Sequence, residues 1–298
     1  MEYNVKKTSC GYGMKKFRQV FVEITNVCNL SCTFCPKHDR SPRFMTKNEF
    51  EKIANELAPI TRAISLHLMG EPLLHPEFGG ICKAATERGL QIYLTTNATL
   101  IKNHLETLKS GMIKRISVSL HSFEANALNV SLDEYLSTIF ECAKEITKTE
   151  HTFVELRLWN QSDNARAKNA LNQYIIDAAC KFFNTKVAWD GKTNQFLTDA
   201  IYFCPDNVFS WPNETDTATQ THTKYCHALS THFGILADGT VVACCLDNKG
   251  KLALGNAFIA PISQILECER AKQILNGFKS RRAVEPLCKV CTFANKFD

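Results

Sequence analysis

The stretch NVCNLSCTFCPK, residues 26 to 37, places three cysteines, Cys28, Cys32 and Cys35, within eight positions, and the next cysteine is Cys82. A closed structural metal site takes four ligands. Three thiolates at this spacing suit an iron–sulfur cluster, in which each iron normally takes one cysteine. Three ligands on a four-iron cluster leave one iron open, the condition for a metal to do chemistry rather than hold structure. A second group lies far down the chain. Cys226 is followed by twelve residues, Gly239, four more and Cys244, with Cys245 adjacent and Cys288-x2-Cys291 closing the set. A β-hairpin bearing one part and a distal C-x2-C pair would gather four thiolates across a long gap. By spacing alone that is either a zinc ribbon or an iron–sulfur site.

The elements that must position these groups alternate between two periodicities. Strands are predicted at QVFVEIT (19–25), AISLHLM (63–69), LQIYLTT (90–96), KRISVSL (114–120), TFVELRLW (152–159) and TKVAWD (185–190). Between them lie amphipathic segments. Thr46 and Glu49 form a capping-box pattern before Phe50, Ile53 and Leu57, and Ser131 and Glu134 repeat it before Tyr135, Leu136, Ile139, Phe140 and Ile146. A third helix reads Leu100, Ile101, Leu105, Leu108. Six strands separated by helices argue for parallel βα units, short of a full eight-fold barrel. The fold class is α/β, a partial (βα)6 barrel over residues 19–204. Cys28 follows directly on the first strand, at the barrel face that carries chemistry. From residue 203 the sequence turns polar and rich in turn formers, which reads as a linker. FGILADGTVVACCL is then a hairpin about Asp238-Gly239, followed by a helix in ISQILECERAKQILNGF. Residues 205–298 form a small hairpin-and-helix domain bearing the second cysteine group.

On these residues the chain resembles the radical S-adenosylmethionine (SAM) superfamily. The resemblance is carried by the three-cysteine loop after the first strand, LMGEPLLHP (68–76) after the second and LTTNATL (94–100) after the third. Met69 stands where many members have a further glycine. The resemblance implies a 4Fe–4S cluster on Cys28, Cys32 and Cys35 whose open iron is chelated by SAM. One electron cleaves the sulfonium, and a 5′-deoxyadenosyl radical abstracts hydrogen from substrate. It also implies cofactor contacts. Phe34, before the third cysteine, packs near the adenine; Gly70, Glu71 and Pro72 meet the SAM amino group; Thr96 and Asn97 lie along the cofactor. Ser119 and Arg157, ending the fourth and fifth strands, face its ribose or carboxylate. The C-terminal part resembles the SPASM and twitch auxiliary-cluster domains through its hairpin, LGNAF and PLCKVC. This implies a second 4Fe–4S cluster, on Cys226, Cys244, Cys288 and Cys291, with Cys244 chosen over Cys245 by the spacing match. The full SPASM pattern has further cysteines after the final pair, where this chain has TFANKFD, so the one-cluster twitch arrangement is expected. The resemblance runs from residue 19 to residue 293 and implies a flavodoxin- or ferredoxin-type electron donor.

Other groups have plainer readings. Glu71 alone fits a surface carboxylate, and Arg157 in an apolar strand fits a core ion pair. His67, His75 and His121 fit local hydrogen bonding, and Trp159, Trp189 and Trp211 fit packing. Cys10, Cys82, Cys142, Cys180, Cys204 and Cys268 read as small buried hydrophobes, with Cys204 also a candidate hydrogen-atom donor.

The 298 residues are 45% apolar and 22% charged, a soluble globular mix with no apolar run long enough for a membrane span. The N-terminal segment lacks the apolar core of a secretory signal, and many free cysteines fit a reducing cytoplasm. The net charge of +5 draws on Lys6, Lys7, Lys15, Lys16 and Arg18, and on Lys279, Arg281 and Arg282. These read as solvated faces rather than a nucleic-acid surface. The expected activity is SAM-initiated hydrogen abstraction with net oxidation of a small polar metabolite. The alternatives are a peptide or protein maturase and an RNA- or nucleoside-modifying enzyme. Only 27 residues precede Cys28, which is expected to disfavour leader-guided maturation. The proton-transferring residue is not legible.

Overall fold

Apolar residues at every second position of the strands account for the architecture. In the computed structural model, which describes residues 17–161, 168–208, 210–214 and 223–297, they face one side of a ten-stranded sheet. Five strands fall where predicted: β1 (Gln19–Val22), β2 (Ala63–Leu66), β3 (Gln91–Thr96), β4 (Ile113–Ser119) and β5 (Phe153–Leu158). They pair in parallel in sequence order. Val20, Val22, Ile64, Leu66, Ile92, Leu94, Ile116, Val118, Val154 and Leu156 are all buried on the helix-covered side. The helices there are α1 (Lys47–Leu57), α2 (Phe78–Glu87), the single turn α3 (Leu105–Leu108), α4 (Leu132–Ile146) and α5 (Asn172–Phe182). Thr46 and Glu49 close the capping box of α1 in both directions, and Ser131 accepts the Glu134 amide at the start of α4.

The other face is polar, and this shapes the site. Parallel strands buried on both faces usually read as continuous apolar runs. Here Ser65, Ser117 and Glu155 are buried on the inward face of an open, partial barrel. Buried polar groups need partners. Glu155 receives Arg157, the Tyr202 hydroxyl (3.2 Å) and, as an ion pair, Arg115 (3.5 Å). Arg115 also lies 4.8 Å over the Tyr93 ring.

The sixth strand is elsewhere than expected. Residues 185–190 are not a strand, although Val187 and Trp189 turn inward to pack. After the two-residue strand β6 (Gln195–Phe196), the sixth parallel position is filled by β7 (Ile201–Pro205), paired with β5 from Val154↔Ile201 to Leu158↔Pro205. Both segments alternate correctly; Ile201 and Phe203 supply the deeper apolar face, and Trp189 packs edge-on against Phe203 at 5.6 Å. The expected helix in ISQILECERAKQILNGF is likewise two, α6 (Ile262–Ile265) and α7 (Glu269–Lys279), because Cys268 caps α7 by accepting the Ala271 amide.

The hairpin forms as predicted from β8 (His232–Ile235) and β9 (Thr240–Val242), with Gly239 at φ +84°. A Cβ there would lie 2.6 Å from the Phe258 ring and 2.7 Å from Asn256 Oδ1, so the turn requires glycine. β8 pairs in parallel with β1, from Gln19↔His232 to Val22↔Ile235, so the C-terminal hairpin and β10 (Ala253–Asn256) continue the barrel sheet. A short helix, α8 (Pro286–Val290), leads into Cys291. No helix among the described residues is long and apolar enough to cross a membrane. Lys6, Lys7, Lys15, Lys16, Cys10 and residues 215–222 of the expected linker lie outside the described residues.

Phe203→Ala in β7 should cost about 3–5 kcal/mol of stability by urea denaturation, because it empties a fully buried position. Ala188→Asp, in the exposed middle of the unpaired segment, should stay within about 0.5 kcal/mol.

Candidate active site

The cysteine loop leaves β1 and is closed at its base by the chain itself. Asn26 Nδ2 donates to the Ser41 carbonyl (2.9 Å), its Oδ1 accepts the Arg43 amide (2.8 Å), and Thr25 Oγ1 donates to the Arg43 carbonyl (2.9 Å). The loop after β2 is then pressed against this base. Glu71 N donates to the Val27 carbonyl (2.8 Å), and a Cβ on Gly70 would lie 2.3 Å from the Thr25 oxygen. Gly70 has φ +78°, so geometry and close approach both demand glycine.

Within the loop the Cys35 amide donates to the Cys32 carbonyl (3.1 Å), which folds the C-x2-C pair into a turn. Cys28 and Cys35 are exposed, Cys32 is half-buried, and all three line one cavity of about 710 Å³. A hydrogen bond shared between the two thiols pulls Cys32 down to about 7 and pushes Cys35 up. Two asparagine amides point at the sulfurs. Asn126 Nδ2 lies 3.1 Å from Cys32 Sγ, and Asn97 Nδ2 lies 3.8 Å from Cys28 Sγ. Asn126 also accepts the Ser31 amide (3.0 Å) and donates to the Ser122 carbonyl (2.7 Å), so it holds the loop as well as the sulfur.

Phe34, Gly70, Glu71, Thr96, Asn97, Ser119 and Arg157 all line the same cavity. Pro72 does not; it is buried and opens the 3-10 turn Pro72–Leu74, which fixes the direction of Gly70 and Glu71. Glu71 is no surface carboxylate. It is buried and accepts from Leu73 N (3.0 Å), Thr96 Oγ1 (2.8 Å) and Asn97 N (2.7 Å), so it ties the loop after β2 to the loop after β3. Burial pushes its pKa up to about 7 while these hydrogen bonds pull the other way. Ser119 and Arg157 are register partners across β4 and β5. Arg157 forms the expected ion pair with a core carboxylate, Glu155, and its guanidinium lies 4.3 Å over the Trp159 ring while still facing the cavity.

The histidines divide. His75 is spent locally, 2.7 Å from the Met45 carbonyl and accepting the Glu77 amide (3.0 Å). His67 and His121 line the cavity, and burial, joined by the nearby Arg157 charge, lowers both to about 4. They are therefore neutral near pH 7. His121 packs on Phe34 at 4.9 Å between ring centres. Trp159 and Trp211, read as packing, line the cavity; Trp189 packs in the core; Cys204 is not among the lining residues.

The second cysteine group also gathers. Burial, with a further push from the neighbouring Cys244 thiol, raises the Cys226, Cys288 and Cys291 thiols, and Cys288 is also raised by Cys226 and Cys291. Adjacent residues part ways here: Cys244 packs into the main core with Cys226 and Cys288, whereas Cys245 packs with Phe21, Leu68, Leu236 and Val242. His232, Cys244 and Cys245 bring ligand atoms within 4.8 Å of one another. His232, Asn126 and Lys224, a buried lysine whose Nζ reaches the Cys291 carbonyl, were missed by sequence reasoning.

Matches to known proteins follow this geometry. The family model for the radical SAM superfamily matches residues 22–155, and that for SPASM, an iron–sulfur cluster-binding domain, matches residues 226–292. The chain thus carries a radical SAM domain followed by a SPASM-type iron–sulfur cluster-binding domain. It is 32% identical over 112 residues to an AdoMet-dependent heme synthase of Methanosarcina barkeri, covering 36% of this chain and 32% of that protein. It is 32% identical over 139 residues to a GTP 3′,8-cyclase of Aquifex aeolicus, covering 42% and 43%. The chain thus spans less than half the length of the curated relatives it matches. Among solved structures, BtrN in complex with AdoMet and 2-DOIA superposes with TM-score 0.59 at 19% identity, covering 94% of both chains. Streptococcus suis SuiB superposes with TM-score 0.60 at 17% identity, covering 93% of this chain and 72% of that one. These likenesses show the fold.

Radical SAM chemistry uses a 4Fe–4S cluster and SAM, and a SPASM domain adds iron–sulfur binding. The donor sets fit. Three soft thiols with two amide donors open into the cavity, and Cys226, Cys244, Cys288 and Cys291 offer four half-buried thiols in the C-terminal part.

Hydrogen bonds to cluster sulfurs raise reduction potential. Asn126→Leu should therefore shift the SAM-site cluster to a more negative midpoint by EPR-monitored titration, with looser iron retention.

His121 gives a pH signature. It is 7% exposed and its folded pKa, about 4, lies below the ordinary histidine value, so the unfolded chain binds more protons between those limits. Its contribution is present above about 6.5 and is lost as pH falls towards 4. Glu71 acts oppositely: its raised pKa favours the folded state at low pH and that advantage fades as pH rises through about 7. His121→Gln should flatten the acid-side fall in urea midpoint of the metal-free protein; an unchanged slope would refute the neutral, buried reading.

Proposed function

We propose that this radical SAM enzyme is an oxidoreductase that removes hydrogen from a small polar metabolite in a net oxidation. The observation that carries the reading is the cavity. Its volume, about 710 Å³, is that of a small-molecule site, and the cysteine loop, Arg157, the neutral histidines and two tryptophans share it. Residues 19–204 would form the core and 205–298 the auxiliary domain.

Cys28, Cys32 and Cys35 would hold the 4Fe–4S cluster that binds SAM. Together, when bound, they supply the reductive cleavage of the sulfonium and the hydrogen-abstracting species. Asn97 and Asn126 hold the sulfurs. Phe34, Gly70, Glu71, Thr96, Asn97, Ser119 and Arg157 would contact the cofactor, with Pro72 acting through the turn that it starts. Glu71 contributes by fixing the Thr96–Asn97 turn, because its carboxylate is already occupied by the Leu73 amide, the Thr96 hydroxyl and the Asn97 amide. His67 and His121, both neutral, are weak bases that can accept a hydrogen bond from a bound hydroxyl or amine. Trp159, Trp211 and Phe34 exclude water from the reacting end. Cys226, Cys244, Cys288 and Cys291 would hold one auxiliary 4Fe–4S cluster, a one-electron acceptor suited to an oxidation. A flavodoxin- or ferredoxin-type protein would supply reducing electrons.

A second reading, peptide maturation, is supported by likeness to SuiB bound to precursor peptide SuiA (TM-score 0.59, 16% identity). A nucleotide substrate is a third, from the GTP 3′,8-cyclase relatives.

Anaerobically reconstituted protein should hold about eight irons per chain. Replacing Cys28, Cys32 and Cys35 with Ala should leave about four and abolish SAM cleavage. With deuterated candidates, label should enter 5′-deoxyadenosine from a small metabolite; label from a peptide or nucleotide only would overturn the preferred substrate class.

A further inference from the structure

Lys224 lies two residues before Cys226 and is 2% exposed, so its ammonium group is inside the auxiliary domain. Its backbone amide donates to the Arg281 carbonyl (2.9 Å), which pins this segment to the turn after α7. Its Nζ donates to the carbonyl of Cys291, the last residue of the C-x2-C pair. Among the described residues no carboxylate pairs with it. The carboxylates that flank the cysteines in sequence are committed: Glu285 takes Arg270 through two 2.8 Å bonds, and Asp247 accepts the Lys251 (2.8 Å) and Leu252 (2.6 Å) amides.

A buried ammonium with only a neutral carbonyl for company is strongly unfavourable, and natural buried charges are paired. The groups next to Lys224 able to take negative charge are thiols: Cys291, whose carbonyl its Nζ reaches, and Cys226, two residues on in the chain. Four thiolates around an iron–sulfur core leave net negative charge, and reduction adds more. A fixed cation beside them favours the reduced state.

We propose that Lys224 is the built-in counter-charge of the auxiliary cluster. Its buried ammonium balances the thiolates of Cys226, Cys244, Cys288 and Cys291 and holds the cluster's reduction potential up. The proposal rests on these four thiols holding an iron–sulfur cluster. It differs from a side chain that merely caps α8, for which shape and a hydrogen bond would suffice.

The test is an EPR-monitored redox titration of the full chain carrying Ala at 28, 32 and 35, without substrate, so that only the auxiliary cluster is read. Lys224→Met should titrate at a more negative potential. At the parent's midpoint its oxidised-to-reduced ratio should rise about tenfold, which is about 59 mV for one electron. Lys224→Arg keeps the charge and should titrate with the parent. Equal midpoints for Lys224→Met and parent overturn the inference. If Lys224→Met holds no iron, Lys224→Arg decides: parent-like iron and potential support the counter-charge, and loss from both variants overturns it. Metal analysis of the parent separates the two levels. Zinc in the four-cysteine set sinks the cluster reading and the inference with it, whereas iron with an unchanged Lys224→Met potential sinks the inference alone.

Discussion

The site depends on one buried ion pair. Glu23, 1% exposed at the end of β1, receives two hydrogen bonds from Arg40 (2.7 and 2.8 Å), together with the Met69 and Ala237 amides (both 3.1 Å). Arg40 spends its Nε on the Asn248 carbonyl (2.8 Å). One carboxylate therefore joins the first strand, the far end of the cysteine loop, the loop after β2 and the C-terminal hairpin. Desolvation cancels much of the net stability of such a pair, but removing one partner leaves a buried charge and costs about 3–5 kcal/mol. Its role is to fix relative position. The three thiols can open into the cavity because both ends of their long loop are held, by Asn26 at the base and by Arg40 beyond Cys35.

The same economy governs the cavity's charge. Glu71 is a lining carboxylate, and three donors from neighbouring turns already occupy it. Arg157, paired with Glu155, keeps a largely buried cation in the lining, and that cation helps burial hold His67 and His121 neutral. The lining thus offers positive charge, neutral acceptors and aromatic faces, with its negative charge reserved for sulfur. That balance suits an electron-rich cluster and a polar ligand in one space, since no free carboxylate competes for the ligand's hydrogen-bond donors.

Much of this was legible because it is written locally. The cysteine spacing, the Gly70-Glu71-Pro72 turn, the Thr96-Asn97 turn, the Thr46–Glu49 cap and the Asp238-Gly239 hairpin each lie within a few residues. What was not legible joins distant ones. Glu23 meets Ala237 across 214 positions, Asn126 meets Cys32 across 94, and Lys224 meets Cys291 across 67. No periodicity encodes such pairs. The sixth strand was misplaced for a different reason. TKVAWD and IYFCP both alternate, and the polar, turn-rich residues after Pro205 made β7 look like the start of a linker. Tertiary packing chose Phe203 over Trp189 for the fully buried position.

The parallel pairing of β8 with β1 gives the two cysteine sites their relation. A domain joined only by a linker could sit at many distances from the barrel. Here four register pairs, Gln19↔His232 to Val22↔Ile235, lock the hairpin to the strand that launches the first cysteine loop. Phe21, on that strand, stands between the sites, 6.4 Å from the His67 ring and 5.8 Å from the His232 ring. His67 lines the cavity and His232 touches the Cys244–Cys245 corner. Because adjacent strand residues point to opposite faces, the register that seats Val20 and Val22 in the core also sets Phe21 inward. A one-residue slip would turn Phe21 out and bury the wrong face, so core packing and the spacing of the two sites are enforced by the same pairs.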